Sequence, residues 1–106
     1  MDALTILNDN YEMQNNSFLY YLRERNIFNK DAFKQLNSCI YDLAQQNVSI
    51  SSAALKIHII HARTLEAFLY HFDANDTFNI QNLPENYNKI LAQLDKSVAF
   101  YFQTRI

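Results

Sequence analysis

The sequence predicts an all-α protein, an antiparallel bundle of four helices, or five if the first segment breaks. Three observations predict it. Apolar residues recur at helical spacing through four segments of the chain. No run alternates strictly between apolar and polar residues, and no Asn-Gly or Asp-Gly pair marks a hairpin. The 106 residues include no glycine and one proline, whereas thirteen asparagines are present. Asn is the next choice after Gly for the left-handed residue that ends a helix, and it is a good N-cap. A bundle can therefore dispense with glycine. Residues 1–106 are expected to form one domain.

The first segment runs from Ala3 to Arg25, with Leu4, Leu7, Tyr11, Phe18 and Leu22 on one stripe. Gln14 and Asn15 interrupt that stripe, and Asn15-Asn16-Ser17 is a candidate break. The second runs from Lys30 to Gln46 behind Asn29 as cap. Its stripe is Phe33, Leu36, Ile40 and Leu43, flanked by Ala32, Cys39 and Ala44. The third runs from Ser51 to Phe72 after a start rich in Ser49, Ser51 and Ser52. The fourth starts near Pro84, a residue favoured in the first helical turn. It places Tyr87, Ile90, Leu91, Leu94, Val98 and Tyr101 on one face. Thr77-Phe78-Asn79-Ile80 is read as loop. Phe100-Tyr101-Phe102 puts aromatics on more than one face, and with Ile106 this tail is expected to pack on another chain.

Composition excludes several classes. Without glycine there is no Walker-type phosphate loop, Rossmann fingerprint or nucleophile elbow. A net charge of −2 gives no field for general nucleic-acid binding. One cysteine makes no internal disulfide, which points to a reducing compartment. The N-terminus lacks the basic start and apolar run of a signal peptide, and no apolar stretch reaches the length of a membrane helix. The expectation is a cytoplasmic protein that needs no cofactor and does not engage a membrane.

The third helix carries most of the candidate chemistry. On a wheel of about 100° per residue, Ile57, His58, His61, Leu65, Phe68, Leu69 and Phe72 cluster on the side assigned to the core. Lys56, Ile59, Arg63, Glu66 and Tyr70 lie opposite, and His71 sits on the flank. His61 reads as a core histidine bonded to a polar neighbour. His58 and His61 are three apart, but no Cys or acid joins them at ligand spacing, so no metal is expected. Arg63 and Glu66 read as a surface pair. Asp73 and Asp76 lack the Gly and the terminal Glu of a calcium loop and read as a polar loop. Tyr20-Tyr21 with Arg23 and Arg25 could stack on bases, but cations near a helix end are the simpler account.

The stretch His61-Ala62-Arg63-Thr64-Leu65-Glu66-Ala67-Phe68-Leu69-Tyr70 resembles the H-A-R-x-L-x-x-F helix of small bacterial helical proteins. Those are similar in turn to the HEPN bundles of prokaryotic defence and toxin–antitoxin systems. The resemblance covers one helix of the four. It implies a helical fold and, as one alternative, a divergent ribonuclease in which Arg63 and His71 act on an RNA phosphate. The family spaces its Arg and His by four to six residues, whereas seven separate Arg63 from His71. On an ideal helix such side chains point about 80° apart, with Cα atoms about 12 Å apart along the axis.

The functional expectation is a non-enzymatic bacterial or phage interaction module of the immunity, antitoxin or defence-inhibitor type. Its partner-binding face is expected at Ile59, Arg63, Glu66 and Tyr70, engaging a protein partner or a second copy. The alternatives are the ribonuclease and a structural homodimer.

Overall fold

The computed structural model describes residues 2–46 and 51–105; Ser49 of the Ser-rich start and Ile106 of the tail lie outside them. All regular structure among the described residues is helical. Helix α1 covers Ala3–Tyr11, α2 Lys30–Gln45, α3 Ser51–Phe72 and α4 Tyr87–Gln103, and a π-helical turn spans Tyr20–Glu24. The first segment therefore breaks.

The break is built without glycine. Asp2 caps α1 by accepting the Thr5 amide at 2.8 Å. After Tyr11 the chain takes left-handed backbone at Met13, Asn15 and Asn16, with φ of 53°, 55° and 59°. Asn tolerates that region because its short amide bonds locally, whereas Met at this conformation is strained. Buried Asn10 holds the corner. Its amide group donates to the Ile6 carbonyl at 2.9 Å, and its oxygen accepts the Leu19 amide at 3.0 Å. The Ser17 hydroxyl adds a bond to the Asp9 carbonyl at 3.1 Å. A fourth left-handed residue, Asn26, follows the π turn.

Helix α2 starts where the sequence places it, with the Asn29 side chain accepting the Ala32 amide at 3.0 Å. All seven of its expected apolar positions are buried. Helix α4 starts at Tyr87, three residues after Pro84, which lies in the preceding turn. Its buried face is Ile90, Leu94, Ser97, Val98 and Tyr101; Tyr87 and Leu91 are half-buried.

Each helix packs on two others, in the ring α1–α2–α4–α3. The α3–α4 pair is antiparallel, with His61 beside Asp95 and Phe72 beside Tyr87. The α2–α4 pair runs parallel: Phe33 and Ile90 line one pocket, Tyr41 stacks on Phe100, and Arg105 reaches Leu43. Arg105 also closes the end of α2, donating to the Leu43 and Ala44 carbonyls at 2.7 and 3.2 Å while lying 4.4 Å over the Tyr101 ring. A cation on these carbonyls complements the helix dipole where no C′ glycine is available. Phe18, Phe28 and Phe33 form an aromatic nucleus with centroids 5.3–5.8 Å apart.

The core face of α3 is rotated from the expected one, although Ile57 and Phe68 are buried as expected. Its buried residues are Ala53, Ile57, Ile60, Thr64, Ala67 and Phe68. Leu65, Leu69 and Phe72, assigned to the core from their position on the wheel, are 37%, 69% and 56% exposed. Apolar residues recur on more than one face of this helix, so periodicity alone offers two stripes. The stripe with small residues is the one that faces inward. Ala53, Thr64 and Ala67 let neighbouring helices approach closely, and the Thr64 hydroxyl donates to the Ile60 carbonyl at 2.8 Å, so it is not buried unpaired.

Candidate functional site

The rotation of α3 sorts its side chains into two surfaces. The first faces α1 and the π turn, and it contains the four expected partner-binding residues. Arg63 donates to the Tyr11 carbonyl at 3.0 Å and lies 5.6 Å over the Tyr11 ring. Lys56 covers the same ring at 5.3 Å and donates to Asn8 at 2.7 Å. Arg23, from the π turn, donates to the Arg63 carbonyl at 2.9 Å and sits 5.7 Å over Tyr70. This is a cation–aromatic seam that fastens α3 to the first segment. Ile59 and Arg63 are half-buried in that region, whereas Glu66 and Tyr70 are exposed and bonded to each other at 3.2 Å. The expected Arg63–Glu66 pairing is thus replaced by Arg63–Tyr11 and Tyr70–Glu66.

The second surface is a groove between α3 and α4. Leu65, Phe68, Leu69 and Phe72 line one wall, Tyr87 and Leu91 the other, enclosing about 410 Å³. Phe68 is buried beneath it. Tyr87 stands 5.1 Å from Phe72 and 6.4 Å from Phe68. Every lining side chain is apolar or aromatic, and none is charged. His61 and Asp95 bridge the two helices at 2.6 Å, one turn before Leu65 and one turn after Leu91. His61 is therefore a partly exposed interhelical link, where a core position was expected.

The histidines do not gather. His58 is exposed, and His71 points to the loop between α3 and α4, where its Nδ1 accepts the Ile80 amide at 2.9 Å. Among the described residues no group of three His, Cys, Asp or Glu could hold a metal ion. Arg63 and His71 also diverge: the guanidinium goes to Tyr11 and the imidazole to Ile80, from an unbroken helix. Asp73 and Asp76 are used locally, accepting the amides of Asn75 and Phe78 at 2.9 and 2.8 Å. That loop is pinned by buried Ile80 and by Asn82, which exchanges two hydrogen bonds with Phe28 at 2.7 and 2.9 Å.

Sequence reasoning missed Leu65, Leu69, Phe72, Tyr87 and Leu91 as a surface. The available signal was the competing stripe Ala53, Ile60, Thr64 and Ala67, three of whose residues are small. No helix among the described residues is long and apolar enough to cross a membrane. Comparison of the chain with protein-family models, with curated proteins and with solved structures gave no match.

Proposed function

We propose that the protein is an interaction module of the immunity, antitoxin or defence-inhibitor type, acting by occupying a surface of a partner protein. The observation that carries this reading is the exposure of Leu65, Leu69 and Phe72 on a single wall of the α3–α4 groove. Scattered exposed apolar residues are ordinary, but a contiguous apolar concavity marks a contact surface. Two aromatic side chains, Phe72 and Tyr87, stand together at its loop end and suit such a role. Exposed Glu66, from the face first expected to bind, flanks the outer side of α3, whereas Tyr70 lies under Arg23 in the seam. Arg63 and Ile59 serve the seam with α1. The ribonuclease alternative has less support, because Arg63 and His71 make unrelated contacts within the chain.

The test is photo-crosslinking in cells that express the chain, with a photoreactive residue at position 69, 72 or, as control, 93. A discrete adduct with another polypeptide from 69 and 72 is the expected result. No adduct from either, or an equal adduct from 93, contradicts the reading.

A further inference from the structure

We propose that the α3–α4 groove takes a helix of the partner that is apolar on one face and carries Lys or Arg along its flanks; the proposal rests on the interaction reading above. The groove's lining dictates the first half of that statement. Leu65, Phe68, Leu69, Phe72 and Leu91 offer a ligand no polar side-chain atom and the Tyr87 hydroxyl is the one polar group of the lining, so the inserted face must be mainly apolar. A helix meets this need with all its backbone groups satisfied internally, so nothing polar is left facing the apolar walls. Leu65, Leu69 and Phe72 cover two helical turns, about 10.5 Å along the axis, matching anchors at i, i+3 or i+4, and i+7 on the incoming helix.

Charge dictates the second half. The exposed charged residues that adjoin the lining residues along the chain are acidic: Glu66 follows Leu65, Asp73 follows Phe72, Glu85 precedes Tyr87 by two positions, and Asp95, bonded to His61, lies one turn beyond Leu91. The cations nearest in sequence are turned elsewhere. Lys56, Arg63 and Arg23 belong to the seam with Tyr11 and Tyr70. Lys89 and Lys96 lie about 160° and 140° round α4 from Leu91. An acidic rim around an apolar floor favours a basic-flanked helix and repels an acidic one. It also disfavours a second copy of this chain, because a symmetric pairing of two such grooves would set one acidic rim against the other. Anionic lipid is opposed for the same reason.

The probes are two synthetic helical peptides of about 18 residues with the same Leu and Phe face, one flanked by Lys and one by Glu. Binding to the isotope-labelled full chain is followed by NMR and calorimetry. The expected result is at least tenfold tighter binding of the Lys-flanked peptide, with shifts centred on Leu65, Leu69, Phe72 and Leu91. The variant Leu69→Asp should lose it, and Glu66→Lys with Asp73→Lys should reverse the preference, both with unchanged helical circular dichroism. Equal affinities, no binding of either peptide, or shifts away from the groove would overturn the proposal. Sedimentation that reveals a dimer abolished by Leu69→Asp would give the groove to a second copy instead. A crosslink from position 69 to another protein, without peptide preference, would retain the interaction reading and remove the basic helix.

Discussion

His71 accepts the Ile80 amide through Nδ1 at 2.9 Å, and this one bond ties the end of α3 to the buried residue of the following loop. It requires an unprotonated Nδ1, so the neutral ring carries its proton on Nε2. His71→Leu leaves the Ile80 amide unpaired and should lower stability by about 1–3 kcal/mol in urea unfolding. An unchanged midpoint would show that water or a shifted loop replaces the imidazole.

Arg63 should matter for folding. Its guanidinium spans from α3 to the Tyr11 carbonyl and ring. Arg63→Ala is expected to destabilise by about 1–2 kcal/mol, by loss of a charge-assisted bond and a cation–π contact. Tyr70→Ala should be milder. Equal and negligible effects would return this face to free surface.

Leu65 and Leu94, both expected on core faces, should separate. Leu94 is fully buried, and Leu94→Ala is expected to cost about 2–5 kcal/mol. Leu65→Ala, at a partly exposed wall, should cost about 1 kcal/mol or less. Matching losses at both positions would mean that the groove is closed in solution.

Cys39 is buried in α2, and burial pushes its thiol up from 9.0 to about 12, with Asp42 adding to the rise. The folded thiol is therefore neutral at pH 7 and should resist alkylation until the protein unfolds. The sign of the pH effect follows. Below about pH 9 both states hold the proton and Cys39 contributes no slope. From 9 towards 12 only the unfolded thiol ionises, so stability falls as pH rises. Cys39→Ala should flatten that alkaline decline; an identical decline in the variant would assign it to other groups.

Much of the fold was legible because capping chemistry is local. Asn29 reads as a cap and is one; Asn15 and Asn16 read as a break and take left-handed backbone. The helix α2 stripe was unambiguous because its other face is polar. Helix α3 was not, because Leu65, Leu69 and Phe72 compete with Ile60, Thr64 and Ala67 at the same period, and the wheel alone does not choose between them. Close packing against two neighbours selects small residues, a tertiary demand that one helix does not reveal. The His61–Asp95 bridge and the Arg105 clamp join residues 34 and more than 60 positions apart, which no local pattern encodes.

An apolar face kept for contact is one the folded monomer can do without. The most direct test is therefore the urea stability of the double variant Leu69→Asp, Phe72→Asp. The unfolding free energy should stay within about 1 kcal/mol of the parent with the slope unchanged, since both side chains are more than half exposed. A loss of more than about 3 kcal/mol would show that Leu69 and Phe72 belong to the core and that the groove between α3 and α4 is not a surface at all.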